Sequence, residues 1–113
     1  TERIRKIRAR WPDKVPCIVV YKKHEAKFIM PCEFTVAQMM IHARRRLMKM
    51  QALDRHREKA LFFFHNDRLA TGTTMLAELD TNRDTAVTFV CQDENVFGGS
   101  ATVGASALGA RCR

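Results

Sequence analysis

Hydrophobic positions change period several times along the chain, and each change marks a boundary between elements. Over residues 2–11, ERIRKIRARW, Ile4, Ile7 and Trp11 recur at helical spacing among Arg3, Arg5, Lys6, Arg8 and Arg10. That pattern predicts a basic amphipathic helix docking one narrow stripe. Pro12 disfavours helical geometry at Trp11 and ends the helix there. Residues 15–21, VPCIVVY, are rich in β-branched side chains and read as a strand, and residues 26–31, AKFIMP, read as a second. The short polar link from Lys22 to Glu25 implies an antiparallel hairpin. Pro31 has no N–H to give to a ladder, so it favours a sheet edge.

The period then returns to 3.6. Val36, Met39, Met40, Ala43, Leu47 and Met50 form an apolar stripe, with Arg44, Arg45 and Lys49 opposite. Thr35, followed three positions later by Gln38, fits a capping box at the start of this helix. Residues 51–59, QALDRHREK, are polar enough for a solvated helix end or loop. ALFFF (60–64) does not alternate, which predicts a strand covered on both faces, the second cover being the N-terminal helix. HNDRLATG (65–72) is turn-rich, with room for a brief strand at Arg68–Leu69. Thr73 or Thr74 caps a short helix through Leu79, TNRD (81–84) is a turn, and TAVTFVC (85–91) is a last strand. Short strands in the order β-β-α-β-(β)-α-β, crossed by one long helix, predict an α+β protein of the β-grasp (ubiquitin-like) type. An N-terminal amphipathic helix packs on its sheet. Residues 1–14 are read as this helix, 15–98 as the β-grasp domain and 99–113 as a flexible tail of small residues.

Composition adds direction. The 113 residues suit one domain, and 20 Lys and Arg against 12 Asp and Glu give a formal net charge of +8. Such a balance points to anionic partners: nucleic acid, membrane surfaces or acidic peptides. No apolar run approaches the ~20 residues a membrane span needs, and no secretory signal is present. Thr1 in place of a starting Met implies a trimmed N-terminus. Cys17, Cys32, Cys91 and Cys112 form no C-x-x-C pair, and His24, His42, His56 and His65 lie at no zinc-finger spacing. Reduced thiols packed as small hydrophobes are expected rather than a disulfide framework, and neither a metal nor a cofactor is expected.

Enzyme chemistry finds little support. Asp54, Glu58, Glu78 and Asp80 sit in loops or a short helix without a paired arrangement, and neither a phosphate-binding glycine loop nor a nucleophile motif is present. Arg3 to Lys14 and Arg44 to Lys49 could neutralise phosphates. The aromatic residues, however, cluster at Phe62–Phe64 instead of interleaving with the cations as base stacking requires. Nucleic acid is therefore not the expected partner.

Five blocks together carry a resemblance: RWPDKVPCIVV (10–20), KFIMPCEFTVAQ (27–38), ALFFFHND (60–67), TTMLAEL (73–79) and DENVFG (93–98). They resemble, in order, the autophagy-related ubiquitin-like modifiers, whose familiar members are GABARAP and the microtubule-associated protein light chains. The resemblance implies that a cysteine protease cuts after a glycine following an aromatic residue. The new carboxylate is then adenylated, passed as a thioester through activating and conjugating enzymes, and joined to phosphatidylethanolamine. Phe97–Gly98 matches that position, Gly99 follows directly as the other possible cut site, and the tail would be discarded. Glycine suits the task, because an acyl carbon without a side chain beside it threads a narrow active site unhindered. Two acyl chains, at ~0.8 kcal/mol per buried CH₂, anchor stably where one is marginal. The implied location is the cytoplasm, and the autophagosome membrane after lipidation.

The resemblance also implies capture of aromatic-x-x-aliphatic receptor motifs by strand addition to the second strand. The aromatic pocket would use Ile7, Pro16, Ile18, Lys27 and Ile29. The aliphatic pocket would use Phe28, Met30, Pro31, Phe34, Met39 and His42, with Arg46 placed to grip the peptide. Lys27 and Arg46 would favour motifs flanked by acidic residues. Ala86, Met39 and His42 stand where the family commonly has bulky apolar residues, so depth and polarity of the pockets should differ here. A monomer is the default. Two other readings remain: the protein-conjugated autophagy modifier numbered twelve, which ends in Trp–Gly and lacks the WPDKVP-like block, and a non-conjugated β-grasp module binding peptides or RNA.

Overall fold

The computed structural model describes residues 2–53 and 60–93. Its elements are α1 (Glu2–Arg10), β1 (Lys14–Tyr21), β2 (His24–Pro31), α2 (Val36–Lys49), β3 (Leu61–His65), β4 (Arg68–Leu69), α3 (Leu76–Leu79) and β5 (Val87–Asp93). The five strands form one mixed sheet in the order β2-β1-β5-β3-β4. β1 and β5 run parallel in the interior, and the β1–β2, β3–β5 and β3–β4 pairs are antiparallel. β2 lies at one edge, as Pro31 foretells.

Side-chain alternation fixes which face α2 covers. On β5, Val87, Phe89, Cys91 and Asp93 are buried while Thr88 and Val90 are exposed. The register places Val87, Phe89 and Cys91 beside Cys17, Val19 and Tyr21 of β1, so one continuous apolar surface meets the helix. From α2, Val36, Met39, Ala43 and Leu47 each fall to 0% exposure against it. Burying a side chain the size of valine, methionine or leucine stabilises by about 1.5–3 kcal/mol. Met40 packs at the margin of the core, and Met50, read as the end of the stripe, is 36% exposed at the C-cap.

The N-terminus of α2 is fully employed. Gln38 N–H donates to Thr35 Oγ1 and Thr35 N–H donates to Gln38 Oε1, which is the capping box read from the sequence. Val36 N–H donates to Thr74 O at 2.8 Å and Ala37 N–H to Gly72 O at 3.0 Å, so the loop after β4 satisfies two further orphan donors. Gly72 permits that approach: a Cβ there would stand 3.3 Å from Ala37 Cβ.

Four local expectations need correction. Trp11 lies beyond α1 and is 38% exposed under the Arg10 guanidinium, while Arg8 is the residue α1 buries. α1 packs on β1, and its nine residues span only about 14 Å. The opposite cover expected for β3 is therefore incomplete: Phe63 is buried, Phe62 and Phe64 are half-buried, and neighbouring Val90 and Leu69 are exposed. The cap of α3 is Met75, whose N–H donates to Glu78 Oε2, one residue later than either threonine; the Thr74 backbone serves the turn from Thr71 and the start of α2 instead. Finally, Leu53 in the polar stretch after α2 is buried in the core, and residues 54–59 lie outside the described residues.

Candidate functional site

Where α1 crosses the sheet it leaves a cavity of ≈ 450 Å³ between Ile4 and Ile7 above, Pro16, Ile18 and Ile29 below, and Ala86 and Thr88 at the side. The face is the one opposite α2: Pro16, Ile18, Lys27 and Ile29 are the β1 and β2 residues that alternate away from the core. All five residues assigned to an aromatic pocket thus line one cavity. Sequence reasoning missed Arg3, Ile4, Asp84, Thr85 and Thr88 in its wall; for Ile4, the spacing to Ile7 was the available signal.

The second group lies on the other face of β2. Phe28 is half-buried with its ring centroid 4.7 Å from that of His42 on α2. Pro31 and Phe34 are half-buried nearby in sequence, whereas Met30 and Met39 are at 4% and 0% exposure and belong to the core floor. Burial chiefly, and then the charges of Arg46, Arg45 and Lys49, push the His42 pKa below its ordinary 6.5. Arg46 is exposed and donates from Nη2 to the Lys27 carbonyl at 3.0 Å, which links α2 to the edge strand. The Lys27 ammonium lies 3.5 Å from Glu25 Oε1, an exposed pair. Phe97, Gly98 and Gly99 lie outside the described residues.

Two buried polar clusters fix the frame around these faces. Arg8 reaches from α1 to Asp80 at the end of α3 and also donates to Thr85 O at 2.8 Å. The hydrogen bond to Asp80 raises the Arg8 pKa against the opposing effect of burial. At the far end of β5, Tyr21 Oη donates to Asp93 Oδ2 at 2.7 Å and Lys22 Nζ stands 3.5 Å from the same oxygen. The acids considered for catalysis have structural partners instead: Asp80 holds Arg8, and Glu78 accepts from Met75 N–H, while Asp54 and Glu58 lie outside the described residues. Among the described residues no three His, Cys, Asp or Glu side chains gather to hold a metal, and no helix is long and apolar enough to cross a membrane.

A five-stranded mixed sheet with parallel central strands, one long helix across it and a short helix on its back defines a ubiquitin-like β-grasp protein. Residues 1–98 match the family described as Autophagy protein Atg8 ubiquitin like, and the chain belongs to that family of autophagy modifiers. Its fold is similar to that of Trypanosoma brucei ATG8 (TM-score 0.65, 24% identity, covering 82% of this chain and 87% of that one). It is similar also to Plasmodium falciparum Atg8, solved with a Plasmodium falciparum Atg3 peptide (TM-score 0.63, 15% identity, 80% and 85% covered). At these identities the likeness is one of fold.

Proposed function

We propose that this chain is a conjugated modifier of autophagic membranes that captures aromatic-x-x-aliphatic peptides along the edge of β2. The observation that carries peptide capture is that β2, an edge strand among the described residues, has an apolar cavity on one face and the half-buried Phe28–His42 contact on the other. In an extended peptide, residues three apart point to opposite sides. An aromatic side chain entering the Ile7–Pro16–Ile18–Ile29 cavity would therefore send the aliphatic one toward Phe28 and His42. Main-chain hydrogen bonds to β2 supply affinity, and the cavity together with the Phe28–His42 surface supplies specificity. Isothermal titration of the full chain with such a peptide tests this: Ile29→Asp should abolish binding, and charge reversal at Arg44 and Arg45 should not. The opposite outcome would place the peptide on the basic face of α2 and refute strand addition. RNA as the ligand is tested by repeating the titration with an RNA oligomer, whose binding charge reversal at Arg44 and Arg45 should abolish.

Conjugation is supported by family membership and by Phe97–Gly98. A cysteine protease would cut after Gly98, with Gly99 as the alternative site, and release residues 99–113. Activating and conjugating enzymes would then transfer the Gly98 carboxylate to phosphatidylethanolamine, moving a cytoplasmic protein to the autophagosome membrane. The domain so delivered spans residues 15–98, with the basic helix of 1–14 on its back. The Atg3 peptide held by the Plasmodium protein supports a conjugating-enzyme partner of the same kind here. An intact-mass measurement after incubation with extract of the native cells tests the proposal. A product ending at Gly98, absent for Gly98→Ala, is the expected result; scattered trimming in both chains would refute it.

A further inference from the structure

The outer rim of β2 is already in use. The register pairs Pro16 with Ile29 and Lys14 with Pro31, and neither proline has an N–H, so neither pair can exchange two backbone bonds. Ile18–Lys27 lies two positions along the same ladder and shares their class. Residues of such pairs turn both backbone groups away from each other, which aims those of Lys27 and Ile29 outward from the sheet. The direction of the Arg46 contact agrees: Nη2 reaches the Lys27 carbonyl from α2 at 3.0 Å.

We infer that Arg46 guards this edge. Its guanidinium occupies the outward carbonyl that the backbone N–H of an added strand needs, and a carboxylate on the peptide recovers it. This rests on the strand-addition reading above. Binding is then an exchange: the Arg46–carbonyl hydrogen bond breaks, a peptide N–H takes the carbonyl, and the guanidinium pairs with an acidic side chain of the peptide. With a neutral peptide the carbonyl is still taken by the peptide N–H, but the guanidinium returns to water without an anionic partner. The guard therefore selects acidic-flanked extended peptides by penalising neutral ones, as well as by attraction. The Lys27 ammonium rests by Glu25 in an exposed pair and does not touch the outward carbonyl, so it adds attraction for acidic peptides without guarding the edge. An unpaired carbonyl on an edge strand also invites pairing with other chains, which the guanidinium blocks in the free protein.

The test uses the full chain and two synthetic aromatic-x-x-aliphatic peptides that differ only by Glu or Gln beside the motif. Calorimetric affinities are measured for the wild type and for Arg46→Ala, whose fold is checked by circular dichroism. Arg46→Ala should bind the Gln peptide about two- to tenfold more tightly than the wild type does, the range expected for one released hydrogen bond. It should bind the Glu peptide more weakly. Equal weakening toward both peptides, or no change toward either, overturns the guard and leaves strand addition standing. Failure of the wild type to bind either peptide overturns strand addition, and the guard falls with it.

Discussion

The Arg8 guanidinium holds both oxygens of the Asp80 carboxylate, at 2.9 and 2.7 Å, across 72 positions of sequence, and each side chain is only 6% exposed. This fork ties α1, one wall of the cavity, to the loop before β5. Arg83, 3.6 Å from Asp80 Oδ2, still partners the carboxylate when Arg8 is removed. Arg8→Ala should therefore cost about 1–3 kcal/mol, the loss of a charge-assisted fork rather than of a stranded charge. Urea unfolding measures it. An apolar pair, Arg8→Met with Asp80→Leu, should recover much of that loss; a double variant no more stable than Arg8→Ala would show that the pair is not the origin.

Tyr21 is the only tyrosine, so phenolate absorbance reports on one hydroxyl. Burial first, and the hydrogen bond to Asp93 second, push its pKa from 10.0 up to about 12. The neutral phenol is the form the fold favours. Its stabilising contribution is complete below the unfolded value near 10.0 and is lost as pH rises toward 12. An alkaline titration should give a native midpoint near 12 and a midpoint near 10.0 in strong denaturant. Coincident midpoints would contradict the buried Tyr21–Asp93 bond.

Burial likewise raises the Cys17 and Cys91 thiols to about 12, so almost none of either is thiolate near neutral pH. Cys17 and Cys91 are buried in the core, whereas Cys32 is only half-buried, beside Glu33, and is the one of these three that reagent can reach directly. Brief alkylation of the native chain, followed by peptide mass mapping, should therefore mark Cys32 and spare Cys17 and Cys91 until denaturant is added. Marking of all three at equal rates would mean that the sheet opens readily around β1 and β5.

The elements legible in the sequence are those whose stabilisation is local or periodic. The Thr35–Gln38 box, the Val36–Leu47 stripe and Pro31 at the sheet edge all follow from spacing and backbone chemistry within one segment. Apolar groups in the cavity wall were legible too, through a family resemblance that assigned Ile7, Pro16, Ile18 and Ile29 together. What was not legible depends on partners far along the chain. Arg8 looked like one more solvated cation in a basic helix, and Asp80 like a loop acid; only the fold brings them together. The same holds for Asp93, whose burial requires Tyr21 from the neighbouring strand. The helix end that Pro12 predicts is where the structure has it, but the helical spacing of Trp11 from Ile7 does not carry it into the docked stripe, because the chain has already left α1 there.

His42 supplies a pH dependence. Its neighbours are the cations Arg45, Arg46 and Lys49 of its own helix and the Phe28 ring of β2; burial first, and these charges next, lower its pKa below 6.5. The folded state thus favours neutral imidazole, and the stability this gives is present above pH 6.5 and lost as pH falls below it. An aliphatic side chain docked against Phe28 and His42 would cover the imidazole further and lower its pKa again. The complex then binds fewer protons than the free protein, so affinity should fall as pH drops from about 7 to about 5. Each additional unit of depression is worth up to about tenfold. The measurement uses the Gln-flanked peptide, so that no peptide carboxylate titrates, with the wild type and His42→Gln side by side. The wild type should weaken on acidification while the variant stays flat; a flat wild-type profile would place the docked side chain away from His42.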